Sequence, residues 1–157
     1  VPYHFYANGR TLDDFSVTDF IKRVHVIEIM DSIQVNESEV DWSRISPGDG
    51  VLFKTRNSRE GLVKSGKFIS DYVYLSPGSA KKITECGASL VGIDYISIEK
   101  FGVDNFRSHL EVLGENVIVL EGINLENISE GIYTLMCLPL KLSGADASPV
   151  RAILIED

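Results

Sequence analysis

The chain has three histidines, His4, His25 and His109, and they are the first place to look for chemistry. Imidazole changes charge near neutral pH and is the commonest metal ligand. His109 and Glu121 fall on consecutive elements, where a tight turn could bring an imidazole and a carboxylate together. That pairing suits Zn²⁺ or a similar borderline cation. From spacing alone, the plainer alternative is two ordinary surface residues. His4 follows Pro2 and precedes the aromatic pair Phe5-Tyr6. A histidine so placed could be a general acid or base, or a metal ligand, and its plainer alternative is a solvated side chain. His25 sits in an apolar run on the same face as Ile27 and Ile29, and is expected to be a core histidine with its polar atoms satisfied. Cys86 and Cys137 show no C-x-x-C spacing. They are expected to be buried reduced thiols, with a disulfide or a nucleophile as the alternatives.

The elements that would position these residues can be read from pattern. Val24 to Met30 is β-rich and nearly all apolar, as in a strand covered on both faces. The turn signal Ser46-Pro47-Gly48-Asp49-Gly50 leads into a second strand, Val51 to Thr55. Arg56 to Lys67 is polar and contains glycine, so it is expected to be an exposed loop. Tyr72 to Leu75 looks extended. Ser76 as N-cap, Pro77 at the first helical position and Gly87 beyond the end mark the clearest helix. A strand over Ser89 to Ile93 is followed by a second helix from Asp104 to Leu113, stopping at Gly114. A tight turn at Gly114-Glu115-Asn116 then folds the strand Val117 to Leu120 back along that helix. Glu121 ends this strand, at the edge where α/β folds place their sites. Gly131 to Leu142 and Val150 to Glu156 flank a turn at Ser143 to Pro149 and form a C-terminal β-hairpin. The expected class is α/β, one domain over residues 1–157, with a mixed sheet and two main helices.

Composition narrows the function. The 157 residues are 44% hydrophobic and 24% charged, an ordinary globular mix. No apolar run approaches the ~18 residues of a membrane helix, and no signal peptide opens the chain, so a cytoplasmic protein without a membrane partner is expected. The net charge of −8 argues against a nucleic-acid partner. The basic pairs Lys22-Arg23 and Lys81-Lys82 are too short to form a patch.

Four segments, in order along the chain, resemble the cyclase/kynurenine formamidase family. Val1-Pro2-Tyr3-His4-Phe5 is similar to the close of the family motif H-x-G-T-H-x-D-x-P-x-H. Leu90-Val91-Gly92-Ile93-Asp94-Tyr95-Ile96-Ser97 resembles its LVGID-x-x-S strand. The stretch from His109 to Leu125 is similar to its H-x-x-L…ILE-x-L-x-L segment. Leu138 to Asp146, with Pro149-Val150-Arg151-Ala152, looks like its C-terminal hairpin.

The resemblance implies a swivelling β/β/α-type fold and a metal-dependent hydrolase of small amides, formamides or lactams, such as kynurenine formamidases and isatin hydrolases. A related cyclase or lyase activity on the same site, or a non-catalytic binding subunit, are the alternatives. It implies His4 as the catalytic acid/base and His109 with Glu121 as ligands of Zn²⁺ or Mn²⁺. Phe5 and Tyr6 either line the pocket or pack in the core, and Asp94 reads as structural. The substrate is expected to be a small molecule and the assembly a homo-oligomer, a dimer or larger. The motif's earlier His, His and Asp are expected just upstream of Val1. Without them the 157-residue chain is expected to hold metal weakly and to turn over slowly, if at all.

Overall fold

The computed structural model describes residues 1–156. In chain order the strands are β1 (Ile21–Glu28), β2 (Gln34–Val35), β3 (Gly50–Lys54), β4 (Tyr74–Leu75), β5 (Leu90–Ile93), β6 (Ile118–Leu120), β7 (Gly131–Met136) and β8 (Ile153–Ile155). The α-helices are α1 (Arg56–Arg59), α2 (Pro77–Glu85) and α3 (Arg107–Gly114). One six-stranded sheet runs β6-β5-β3-β1-β7-β8 and a small pair joins β2 to β4. The strands β1, β3, β5 and β6 are mutually parallel, whereas β7 and β8 are antiparallel to their neighbours. The mixed α/β class read from pattern is therefore observed.

Both faces of the parallel strands are covered, which explains their continuous apolar runs. Val51, Phe53, Val91 and Ile93 pack on one face against Ile83 of α2 and Val112 of α3. Val24, Val26, Leu52 and Leu90 line the other, beside their sheet neighbours Tyr133 and Leu135 of β7, and cluster there with Leu12, Phe20 and Leu125 from outside the sheet. Neither α2 nor α3 is long enough to be stable alone, so packing on each other and on the sheet must hold them.

Several boundaries differ from the pattern reading. Helix α2 begins and ends where expected: the Ser76 hydroxyl accepts the Ser79 N–H and Gly87 takes the left-handed conformation (φ 76°). Helix α3 starts at Arg107, not Asp104, because Phe106 adopts φ 42° and ψ 42°, a left-handed conformation that cannot sit inside an α-helix. It also includes Gly114, and the left-handed residue of the following turn is Asn116 (φ 60°). The polar stretch after β3 is not simply an exposed loop. It opens with the single turn α1, in which Asn57 and Ser58 are buried. The hairpin is shorter than its apolar pattern, since β7 and β8 pair only over Thr134–Met136 and Ile153–Ile155, with one further bridge between Pro139 and Val150.

Candidate metal and acid–base site

Glu121 is the first residue after β6 and projects from the C-terminal edge of the parallel strands. Its Oε1 accepts the Ile98 N–H at 2.7 Å. Gly122 follows with φ 72°, and its N–H donates to the Tyr95 carbonyl at 2.6 Å. A positive φ at this point turns the chain sharply after the carboxylate, which a β-branched residue would resist. The loop after β5 therefore sets the position of Glu121.

His109 is buried on α3, with 8% of its surface exposed. Its Nε2 lies 3.3 Å from Glu121 Oε1, and its Nδ1 lies 3.3 Å from Glu99 Oε2. Burial alone would lower the imidazole pKa, but the Glu121 and Glu99 carboxylates outweigh it and push it up to about 9. At neutral pH the metal-free ring thus carries a proton on each nitrogen, one facing each carboxylate. Phe5 stacks on the same ring, with centroids 4.9 Å apart and planes 17° from parallel. Phe106 meets Phe5 edge-on at 5.4 Å.

His4 ends a 3₁₀ turn over Pro2–His4 and is half-exposed. Its Nδ1 is paired with Asp146 Oδ2 at 2.5 Å, while the Val1 nitrogen donates to the Asp146 carbonyl at 3.0 Å. The His4 ring meets Phe5 edge-on at 5.3 Å, so His4, Phe5 and His109 form a series of neighbouring rings. Tyr6 does not share that arrangement. Its hydroxyl donates to the Leu110 carbonyl and ties the N-terminal segment to α3.

The other candidates lie elsewhere. His25 is a satisfied core histidine: its Nε2 is 2.8 Å from Asp49 Oδ2, which also accepts from Arg23 Nη1 and the Ser46 N–H. Asp94 is fully buried. Its Oδ2 accepts the Thr55 and Ser58 N–H groups and its Oδ1 accepts the Thr55 hydroxyl and the Asn57 amide. Those bonds tie the end of β5 to the start of α1, a structural task. Cys137 is buried and Cys86 half-buried, and both are free thiols.

The donors can be tested against a divalent cation. Zinc–nitrogen and zinc–oxygen bonds of ~2.0–2.1 Å at a tetrahedral angle place two donors about 3.3 Å apart. His109 Nε2 and Glu121 Oε1 stand at that separation, so the pair fits two corners of such a site. Among the described residues, no group of three or more His, Cys, Asp or Glu side chains is arranged to hold a metal ion. A catalytic zinc usually has three protein ligands, and further donors would have to come from outside this group.

The chain is similar to several known proteins. Residues 1–100 match the family model named Cyclase. The chain belongs to the cyclase family. This cyclase-family chain is 44% identical over 156 residues to Cyclase-like protein 3 of Oryza sativa subsp. japonica, covering 98% of the chain and 57% of the rice protein. It is 31% identical over 158 residues to the kynurenine formamidase of Salinibacter ruber, covering 98% of the chain and 71% of that enzyme. Among solved structures it matches one described as a potential metal-dependent hydrolase with cyclase activity, at 27% identity and a TM-score of 0.86, covering 98% of this chain and 74% of the other. The chain thus spans a little over half of its rice relative.

Glu99 was not singled out from the sequence. An acidic residue some way ahead of a helix carries no local mark, and only its folded position shows that it meets the His109 ring.

Proposed function

We propose that the protein carrying this chain hydrolyses C–N bonds of small amides, formamides or lactams, using a divalent cation held by His109 and Glu121 together with donors outside the described residues. The observation that carries this reading is the 3.3 Å approach of His109 Nε2 to Glu121 Oε1 at the edge of the parallel strands. The formamide class is supported by the Salinibacter relative, which is named a kynurenine formamidase.

One imidazole and one carboxylate suit Zn²⁺ or Mn²⁺, and such an ion supplies Lewis acidity and lowers the pKa of bound water towards ~7. The chain's own residues do the remainder. Glu121 is held in place by the Ile98 N–H. Phe5 covers one face of the His109 ring and keeps water from it. His4 is the acid/base: Asp146 engages Nδ1, which leaves Nε2 to deliver a proton to the departing amine.

We also infer a homo-oligomer. Ile132, Ile153 and Ile155 are 39%, 50% and 45% exposed on one face of β7 and β8, an apolar face that a second copy would cover. Sedimentation of the protein as a monomer at all concentrations would remove that inference.

The reading is tested with a protein extended to the length of its relatives, assayed against N-formylkynurenine and isatin. We expect hydrolysis of at least one, abolished by a chelator and restored by Zn²⁺ or Mn²⁺. Failure to turn over either substrate while carrying a stoichiometric metal ion would overturn it.

A further inference from the structure

Helix α3 begins without a cap of its own. Phe106 occupies the N-cap position and offers no side-chain oxygen, so the first N–H groups of the helix need a partner from elsewhere. Glu99 supplies it. Its Oε2 accepts the Ser108 N–H at 3.1 Å and the His109 N–H at 3.1 Å. The same oxygen lies 3.3 Å from His109 Nδ1. Glu99 is itself buried, with 6% of its surface exposed, and a carboxylate in that setting is tolerated only with good partners.

All three partners of this oxygen belong to two consecutive residues. The carboxylate therefore fixes the imidazole relative to the helix backbone that carries it, rather than merely touching the ring. With Nδ1 committed to Glu99, Nε2 is the nitrogen that faces Glu121.

We infer that Glu99 is a positioning residue for the cation site: it keeps the proton of His109 on Nδ1 and the ring plane fixed, so that the Nε2 lone pair is presented to the cation shared with Glu121. This rests on the metal-site reading above. Outer carboxylates that accept from the second nitrogen of a ligating histidine fix its tautomer and raise its basicity, and their loss typically weakens metal binding ~10- to 100-fold.

The bland alternative is a helix cap with no bearing on the metal, and Glu99→Gln separates the two. Its amide oxygen can still accept the backbone N–H groups and Nδ1–H, so the helix persists while the charge is lost. Glu99→Ala removes cap and charge together. Two readouts are needed on a protein extended to the length of its relatives: Zn²⁺ affinity by competition with a chelating dye, and the His109 tautomer from ¹⁵N-correlated NMR of the neutral ring. We expect wild type to show the Nδ1–H tautomer, Glu99→Gln to fold with normal helicity but bind Zn²⁺ about 10- to 100-fold more weakly, and Glu99→Ala to lose the tautomer preference. Glu99→Gln binding Zn²⁺ within twofold of wild type overturns the positioning role alone. Wild type holding the Nδ1–H tautomer yet never placing Zn²⁺ on His109 overturns the metal-site reading, and this role with it.

Discussion

His109 Nε2 and Glu121 Oε1 meet at 3.3 Å although one belongs to a helix and the other to the loop beyond the next strand. Two features bring them together. The turn after α3, with Asn116 left-handed, sends β6 back along the helix. The Ile98 N–H then draws the Glu121 carboxylate inward. An imidazole between two carboxylates has a proton on each side, and a cation could replace the one facing Glu121.

That arrangement makes the metal-free chain pH-sensitive in a defined direction. The folded-state pKa of His109 is raised to about 9 from an ordinary 6.5, so the folded state holds this proton more tightly than the unfolded chain does. The stabilisation is complete below about pH 6.5 and is lost as pH rises through about 9. Thermal unfolding of metal-free wild type should therefore fall over that window more steeply than that of His109→Gln. Parallel curves for the two proteins would show that the carboxylates do not hold the ring as described.

His4 is expected to act on chemistry rather than on binding metal. In a protein extended to its relatives' length, His4→Ala should lower kcat by ~10² to 10⁴ with metal content unchanged. Equal losses of metal and activity would make His4 a ligand instead.

Asp94 should matter for folding. Replacing it with Ala strips the partner from four donors in a fully buried network, which should cost on the order of 3–5 kcal/mol. Urea unfolding measures it. A loss below about 1 kcal/mol would mean that water or a neighbour takes over those bonds.

The two thiols should react differently. Burial pushes the Cys137 thiol up to about 11, with Lys22 pulling weakly the other way, and only the thiolate is reactive. Cys86 is half-buried. A disulfide-exchange reagent at pH 8 should label Cys86 in the native protein and Cys137 only on unfolding. Rapid labelling of both would show that the β7 end of the sheet is open.

Much of this layout was legible in the sequence, and the failures have physical causes. Strands covered on both faces declare themselves by unbroken apolar runs, and α2 by Ser76, Pro77 and Gly87, because these signals are local. The order His109, turn, strand, Glu121 allows imidazole and carboxylate to converge, but spacing alone leaves two surface residues as the plainer reading, and only the family resemblance marks the pair. The start of α3 is not legible because Phe106 adopts a left-handed conformation that nothing in its own sequence neighbourhood requires. Glu99 is silent in the sequence for a related reason: it caps α3 and holds His109 from a loop, and a long-range contact of that kind leaves no periodicity. The buried turn α1 was hidden by its polar composition, since Asn57 and Ser58 are buried through hydrogen bonds rather than apolar packing.

The most direct test is to titrate Co²⁺ into the ¹⁵N,¹³C-labelled 157-residue chain and follow paramagnetic broadening by NMR. Two protein donors make a weak site, so millimolar Co²⁺ is appropriate. If His109 and Glu121 share one cation, their side-chain signals broaden first and together, Phe5 follows, and His25 stays sharp; His109→Ala or Glu121→Ala abolishes the pattern. Broadening centred on His25 and Asp49, or spread evenly over surface carboxylates, would contradict a cation held between His109 and Glu121.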